Sequence, residues 1–163
     1  MRKVVLFNGP PNSGKDYLAD LMVSQLGASK KMFKQRLYEI TAAIYGIDLV
    51  RFVEMASSRT SKELPNKELG GLSHRQAMIK VSEEVIKPKF GKDYFGKALA
   101  KNIGLGLTVI SDGGFDEELD IVTYEVGVEN LVVVKLEAEG CSFVNDSRKY
   151  VDSEGKGIRT VYM

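Results

Sequence analysis

Short apolar runs alternate with amphipathic segments along most of the chain. The runs at 4–7, 107–112 and 131–134 are mostly apolar, as in strands covered on both faces of a sheet. Weaker runs at 28–33 and 158–163 predict a short second strand and a last strand. Because strands and helices alternate, the pattern predicts an α/β fold, a parallel sheet with right-handed crossovers and helices on both faces.

Between these runs, apolar residues recur at the three- and four-residue spacing of helices. The predicted helices cover residues 17–26, 35–45, 48–55, 73–87, 93–103 and 116–126. Ser73 and Gln76 form the sequence pattern of a capping box, and Pro88 is expected to end that helix at Lys87. Residues 56–71 have no periodicity and are expected to form a mobile surface loop.

The first predicted strand is followed by Gly9-Pro10-Pro11-Asn12-Ser13-Gly14-Lys15-Asp16, which matches the G-x-x-x-x-G-K pattern of a phosphate-binding loop. Its glycines let backbone N–H groups turn inward, the next helix adds its positive end, and Lys15 can reach the outer phosphates. The pattern alone is weak evidence, and the strand before it and the helix after it strengthen it. The candidate phosphate-binding residues are Gly9, Asn12, Ser13, Gly14, Lys15 and Asp16.

Two carboxylates are candidate magnesium ligands, directly or through water. Asp16 stands where the pattern has a Ser or Thr hydroxyl, and a carboxylate beside a polyphosphate repels it unless a divalent ion intervenes. Asp112 ends the run 107–112, where a Walker-B-like acid is placed. Two alternatives stay open: Asp16 serves only the helix dipole, and Asp112 caps the turn after its strand.

Arginines supply the remaining candidate cations. Arg148 lies in a polar stretch between two predicted strands, where an arginine on a closing lid could bind a transferring phosphoryl group. The alternative is a solvated loop cation paired with Asp146. Candidate catalytic residues are therefore Lys15, Arg148 and Asp112. Candidate substrate-binding residues are Arg75, Arg36 and Asp112, with Arg51 and Arg59 as weaker ones.

Three further side chains receive no role in chemistry. Tyr94 and Phe95 could stack on a nucleobase, but aromatics at helical spacing are more often core residues, and we favour the core. His74 is expected to be exposed in the first turn of its helix. Since no cysteine or carboxylate lies at motif spacing from it, we assign it neither metal binding nor nucleophilic work.

Composition excludes several classes of protein. A length of 163 residues predicts one domain, and 23 basic against 22 acidic residues give no overall polycation for a nucleic acid polymer. Cys141 is the one cysteine, so an intrachain disulfide and a multi-cysteine zinc site are excluded. The N-terminal apolar run is too short for a signal peptide or a membrane span. A cytoplasmic location is the default expectation.

Blocks at 7–16, 73–95, 109–115 and 140–148 together resemble the phage-type deoxynucleoside monophosphate kinases. The G-K-D ending of the phosphate loop is shared with that family and with the phosphomevalonate kinases of similar fold. The resemblance implies a three-layer P-loop kinase fold and transfer of the γ-phosphoryl group of ATP, with Mg²⁺, to a (deoxy)nucleoside monophosphate. If the chain is phage-encoded, the resemblance implies a location in the cytoplasm of the host cell.

By matching position, the resemblance implies phosphate binding by residues 9–16, acceptor binding by Arg75 and a lid role for Arg148. Within a single domain, 1–163, it implies a helical acceptor-binding region over about 33–103 and a lid over about 139–157. The chain departs from many relatives at Gly114, where they have an arginine, and at 137–139, where they have basic residues. These departures concern acceptor choice and lid strength.

Two other functions stay open at this stage. One is a P-loop kinase of another phosphorylated metabolite, of the phosphomevalonate type, and the other is a nucleotide-binding module without turnover. The sequence ends on its last predicted strand, where a three-layer sheet is usually closed by one more helix. We therefore expect a further C-terminal segment or a partner to cover that face, and homodimerisation stays open.

Overall fold

The computed structural model describes all 163 residues. The strands are β1 (Arg2–Asn8), β2 (Ser29–Lys31), β3 (Gly106–Gly113), β4 (Leu131–Lys135) and β5 (Arg159–Tyr162). The helices are α1 (Lys15–Leu26), α2 (Lys34–Tyr45), α3 (Leu49–Ser57), α4 (His74–Lys80), α5 (Lys87–Phe90), α6 (Tyr94–Ala100) and α7 (Asp116–Val126). None of them is long and apolar enough to cross a membrane.

All five strands belong to one sheet with the order β2-β3-β1-β4-β5, and every neighbouring pair is parallel. In the central strand, Val4 lies opposite Thr108 of β3 and Leu131 of β4. Because the strands run in the same direction, their carboxyl ends share one edge of the sheet, where open α/β sheets bind ligands. The predicted α/β fold with a parallel sheet is confirmed.

Side chains alternate between two hydrophobic clusters, one on each face of the sheet. The cluster on the α1 face contains Phe7, Ala19, Val109 and Val134. The cluster on the α7 face contains Leu6, Ile110, Leu119 and Val133. This alternation gives the three layers, and the register between β1 and β3 shifts after Ile110, at the carboxyl end of β3.

The chain divides into two compact units, Met1–Phe33 with Gly96–Met163, and Lys34–Phe95. The first contains the sheet, and the second is helical. In the second unit, Tyr38, Phe52 and Leu69 are almost completely buried. Leu69 belongs to a short 3₁₀ turn, Lys67–Leu69, inside the stretch expected to be an unstructured loop, so its burial anchors part of that stretch.

The helix that begins at His74 does not end before Pro88, contrary to the sequence prediction. After α4, a π-helical turn covers Val81–Ile86, and α5 then carries the chain to Phe90. Pro88 lies in the first turn of α5. Proline has no backbone N–H, and in the first turn of a helix that N–H would have no partner within the helix. The change of register in the π-helical turn brings Pro88 to such a position.

His74 is buried, and the expectation that it is exposed was wrong. Only 1% of the residue is accessible, and its ring lies 5.1 Å from the ring of Phe52, centroid to centroid. The Ser73 capping box fixes the start of α4, and the first turn packs on α3 as a result. The Nδ1 atom of His74 is buried without a hydrogen-bond partner.

We expect the second unit to lose stability as pH falls below about 6.5. Burial lowers the pKa of His74 from 6.5; the charge of Glu68 opposes this by a smaller amount, and the charge of Arg51 lowers the pKa further. Since the unfolded chain binds the proton more readily, the stability that neutral His74 contributes is present above pH 6.5 and is lost as pH falls through the folded-state pKa.

Urea unfolding of the wild type and of His74→Gln at about pH 7.5 and about pH 5.5 measures this effect. His74 is the one histidine of the chain, so no second imidazole titrates in the same range. The difference in unfolding free energy between the two pH values should be smaller in the variant. Equal differences in the two proteins would contradict the expectation.

Candidate phosphate-binding site

The loop between β1 and α1 has the backbone conformation of an anion-binding nest. Asn12 and Gly14 have φ angles of 68° and 90°, in the left-handed region. Such residues turn neighbouring N–H groups toward one side of the chain. Gly9 is required by close approach, since a Cβ atom there would lie 2.8 Å from Ser13 Oγ and 2.9 Å from the Leu136 carbonyl oxygen.

The helix that follows the loop begins without a side-chain cap. Gly14 is the N-cap residue of α1, and no side chain accepts a hydrogen bond from the first turn there. By contrast, Asp48 caps α3 and Ser73 caps α4. A helix N-terminus of this kind favours an anion, because its first N–H groups and the helix dipole both point toward the loop.

Lys15 is buried, with its ammonium group inside the loop. Nζ donates hydrogen bonds to the carbonyl oxygens of Gly9 and Pro10, at 2.8 and 2.5 Å, and to Ser13 Oγ at 3.3 Å. These acceptors are neutral, and an ionised phosphate oxygen is a stronger acceptor for an ammonium group. The loop therefore holds a positive charge that an entering phosphate can attract.

Asp16 contacts the end of β3. Its Oδ1 accepts a hydrogen bond of 2.8 Å from Ser111 Oγ, and Lys30 Nζ lies 3.2 Å from the same oxygen. Lys30 also donates to Asp20 at 2.8 Å. Partial burial alone would lower the pKa of Lys30, but the hydrogen bonds to Asp20 and Asp16 outweigh it and raise that pKa. The Asp16 side chain remains 65% exposed.

Asp112 is buried at the carboxyl end of β3, and its Oδ1 accepts a hydrogen bond of 2.9 Å from the backbone N–H of Phe33. This bond holds the segment after β2, and not the turn after β3 that the alternative interpretation of Asp112 named. The register between β1 and β3 shifts between Ile110 and Gly113, so the contacts, and not strand alternation, place the side chains of Ser111 and Asp112. Asp16 bonds Ser111 and Lys30, whereas Asp112 bonds the N–H of Phe33, a residue of the cluster on the α7 face.

Arg148 is held by Asp146 in a two-point ion pair. Nε and Nη2 donate to the two carboxylate oxygens, at 2.9 and 2.7 Å. The pair is mostly buried rather than solvated, since the side chains are 26% and 9% exposed. The Asp146 hydrogen bonds raise the pKa of Arg148, burial opposes them, and the charges of Asp112 and Glu118 add to the increase. Arg148 is therefore a fixed cation on the Asp112 side of the edge.

Gly114 makes room for this arginine. A Cβ atom at position 114 would lie 2.6 Å from both Cβ and Cγ of Arg148. By the resemblance, Gly114 is only a position at which many relatives have an arginine. In the structure, the stem of an arginine from another segment occupies the space beside Gly114. The packing of Gly114 against Arg148 joins two segments that are far apart in the sequence, so it could not be predicted from either residue alone.

Substitution of Gly114 by alanine should displace Arg148. The clashing atoms include its Cβ, which cannot move without the backbone, so we expect a loss of about 1–3 kcal/mol in unfolding free energy. Thermal or urea unfolding measures the loss. Gly104→Ala is the matched control, because a Cβ atom there meets nothing within 4 Å. An equal effect of the two substitutions would refute the packing argument.

Asn8 ties the arginine segment to the sheet. It is completely buried, its Nδ2 donates to the carbonyl oxygens of Gly113 and Lys149 at 3.1 and 3.0 Å, and its Oδ1 accepts from Val151 N–H at 2.9 Å. Lys149 N–H donates to the Gly114 carbonyl at 3.2 Å. Sequence analysis missed Asn8, and the available signal was its position as the first polar residue after the apolar run 4–7.

Ion pairs hold the following residues against α7. Lys149 lies 2.7 Å from Asp116, and Lys156 pairs with Asp120. The pKa of Asp116 is lowered, chiefly by its hydrogen bond with Lys149 and in part by the backbone N–H of Asp152, while burial acts in the opposite direction. The part of the expected lid region after residue 148 is therefore attached to the sheet unit, and the lid role itself stays a prediction.

The two candidate acceptor-binding arginines lie in the helical unit. Arg75 Nη1 is 3.3 Å from Glu63 Oε1, and Arg36 Nη1 is 2.9 Å from Glu39 Oε2. Both arginine side chains are nearly half exposed, 45% and 49%. Exposed pairs of this kind contribute little to stability, so these arginines can exchange partners at little cost. Their role in acceptor binding stays a prediction.

Of the two carboxylates at this edge, one is placed to bind Mg²⁺ beside a phosphate in the loop. No group of three or more His, Cys, Asp or Glu side chains could hold a metal ion. Mg²⁺ in phosphate sites needs no such group, because one or two carboxylates, substrate phosphates and waters complete its shell. Asp16 fits that requirement at the loop, whereas Asp112 faces the arginine side.

A cavity of about 350 Å³ lies on the α1 face, away from the arginine side of the edge. Its lining is almost entirely apolar and contains no charged group: Val5, Phe7, Leu18, Leu21, Met22, Gln25, Leu26, Val132, Val134 and Met163. A phosphate-bearing ligand would find no cation there. This cavity therefore offers no binding group for a phosphate.

No family model and no curated protein matches the chain. Among solved structures, the chain is similar to a gluconokinase from Sinorhizobium meliloti 1021, with a TM-score of 0.45 and 13% sequence identity. The alignment covers 99% of this chain and 81% of that chain. A likeness at this level assigns neither a family nor a substrate to the chain.

Proposed function

We propose that the protein is a P-loop kinase that transfers the γ-phosphoryl group of ATP to the phosphate of a (deoxy)nucleoside monophosphate. The observation that carries the proposal is the loop from Gly9 to Asp16, with two left-handed residues, an uncapped helix start and a buried lysine ammonium. Backbone amides and Lys15 would bind the β- and γ-phosphates of ATP.

The chemistry asks the protein mainly for alignment and for neutralisation of charge. The acceptor phosphate has a second pKa of about 6 and is largely ionised at pH 7, so no protein base is needed. Bound Mg²⁺ would neutralise charge on the phosphates, and Asp16 is the residue that would hold it, directly or through water. Asp112 would serve to hold the chain at Phe33 rather than the metal.

Arg148 would stabilise charge on the transferring phosphoryl group. Asp146 occupies Nε and Nη2, which fixes the plane of the guanidinium group. A preoriented arginine loses little freedom when a phosphate arrives, and such arginines contribute about 10³ to 10⁵ in rate. A lid formed by residues near 139–147 would exclude water from the site.

The choice of acceptor rests on sequence resemblance together with the two arginines of the helical unit. Arg75, and more weakly Arg36, would bind the acceptor's phosphate, since guanidinium groups pair with phosphate at two points. Each now holds an exposed glutamate, Glu63 or Glu39, from which a doubly charged phosphate could draw it away. Cytoplasmic nucleotide metabolism would be the setting.

ADP release coupled to a spectroscopic assay, across the common nucleoside and deoxynucleoside monophosphates, tests the proposal. We expect ADP formation only when an acceptor is present and the highest rate with one of these nucleotides. Turnover with phosphomevalonate or a similar phosphorylated metabolite alone would show another acceptor class. ATP binding without acceptor-dependent ADP formation would show a binding module.

A further inference from the structure

A hydroxyl and a carboxylate join the end of the phosphate loop to the end of β3, and their positions are exchanged relative to the usual pattern. In most phosphate loops the residue after the lysine is Ser or Thr, and the strand supplies an aspartate. Here Asp16 follows Lys15, and the strand residue bonded to it is Ser111. In this contact the loop residue supplies the carboxylate and the strand residue supplies the hydroxyl, while Asp112 remains on the strand beside Ser111.

The geometry distinguishes Ser111 from its neighbour Asp112. Ser111 is 1% exposed, on the α1 face, and its Oγ donates the 2.8 Å hydrogen bond to Asp16 Oδ1. Asp112, which the sequence pattern selects as the strand acid, accepts a hydrogen bond from the N–H of Phe33, a residue of the cluster on the α7 face. Ser111 is the strand residue whose side chain bonds Asp16, the residue after the loop lysine.

We propose that Ser111 positions Asp16 as the carboxylate that receives the Mg²⁺ of a bound nucleotide. The inference rests on the proposed function and deepens it. A hydroxyl donor fixed by burial orients the Asp16 carboxylate and holds its charge at the loop. Outer-shell partners that orient a metal-binding carboxylate typically contribute 10- to 100-fold in metal affinity. Ser111 is a positioning residue in this scheme.

Lys30 offers a competing explanation for the placement of Asp16. Its ammonium lies 3.2 Å from Asp16 Oδ1 and 2.8 Å from Asp20 Oδ1, so Asp16 could serve only to hold β2 against α1. Asp16 and Asp20 are one turn apart on α1, share Lys30 and are 65% and 66% exposed. The hydrogen bond from Ser111 distinguishes the two, which makes Asp20 a matched control.

Calorimetry measures the affinity for ADP with Mg²⁺ and with a chelator. The ratio of the two affinities is the metal-dependent gain, which is compared among the variants. Mn²⁺ binding in the presence of ADP, followed by electron paramagnetic resonance, is a second readout that requires no turnover. We expect Ser111→Ala to lose about tenfold of the metal-dependent gain. Asp16→Asn should lose most of it, and Asp20→Asn should keep it.

Restoring the usual arrangement gives the sharpest comparison. Ser111→Asp alone would set two carboxylates against each other and should weaken ADP binding, whereas Asp16→Ser combined with Ser111→Asp should recover the metal-dependent gain. Because a buried aspartate could prevent folding, Ser111→Thr is the second variant. It keeps the hydroxyl and should retain the gain that Ser111→Ala loses. Thermal unfolding of every variant checks that it is folded.

The outcomes separate this inference from the proposed function. If Ser111→Ala keeps the full metal-dependent gain while Asp16→Asn loses it, Ser111 does not position the carboxylate. Equal losses in Asp16→Asn and Asp20→Asn would assign the effect to Lys30 and overturn the inference, with the kinase proposal intact. If the wild type binds no ADP under either condition, the kinase proposal and this inference both fail.

Discussion

Replacement of Lys15 by methionine or alanine will lower acceptor-dependent ADP formation by at least about 10²- to 10³-fold. The ammonium lies inside the loop, where it donates to the carbonyl oxygens of Gly9 and Pro10. Its loss removes charge stabilisation from the phosphates that approach the loop. Steady-state kinetics with the best acceptor measure the effect, and methionine keeps most of the stem that packs in the loop.

Lys3→Ala is the matched control for this substitution. Lys3 lies in β1 of the same sheet unit, and its Nζ bonds Asn130 Oδ1 at 2.8 Å on an exposed surface. Removal of its charge should leave the rate within about twofold, since exposed contacts of this kind contribute little. Wild-type turnover in a folded Lys15→Met protein would show that Lys15 does not bind the reacting phosphates and would remove the observation on which the P-loop proposal rests.

Replacement of Asn8 by alanine will cause the largest loss of stability among these variants, about 3 kcal/mol or more. Two carbonyl groups, of Gly113 and Lys149, and the N–H of Val151 would lose their partner in a fully buried site. Each buried polar group left unpaired costs about 1–3 kcal/mol. Urea unfolding measures the loss, and turnover should fall as well, because the segment that carries Arg148 loses its attachment.

Asn102→Ala provides the comparison. The Asn102 side chain makes one hydrogen bond, to the Ala98 carbonyl at 2.8 Å, in an exposed position. Its loss should cost less than about 0.5 kcal/mol. If Asn8→Ala costs no more than the Asn102 variant, the amide does not hold the segment, and Arg148 must be positioned by Asp146 and its own packing.

Local patterns predicted the elements that depend on neighbouring residues. The strands at 4–7, 107–112 and 131–134 lie within β1, β3 and β4, because continuous apolar runs leave few alternatives to a sheet buried on both faces. The Ser73 capping box is present as predicted, with Gln76 closing it, since both of its hydrogen bonds are local. The position of the loop, residues 9–16, was likewise predictable from the spacing of its glycines and lysine and from the strand and helix on either side.

Contacts between distant segments were beyond these patterns. In the sequence, Ser111 is simply a polar residue near the end of the predicted strand 107–112. Its contact with Asp16 exists only in the folded chain, where α1 packs beside β3. Gly114 and Arg148 pack together because Asn8 bonds both of their segments and Lys149 N–H bonds the Gly114 carbonyl. His74 was expected to be exposed because a first-turn histidine usually is, and its burial follows from the packing of α4 on α3.

The central position of β1 has a consequence for synthesis of the chain on the ribosome. The strand that leads into the phosphate loop emerges well before its partners β3 and β4, since Val4 lies opposite Thr108 and Leu131. The loop also needs Leu136, whose N–H donates to the Asn8 carbonyl at 2.8 Å. A nascent chain that ends before β4 would therefore leave the β4-facing edge of the apolar strand β1 unpaired, and nucleotide binding should arise only late in translation.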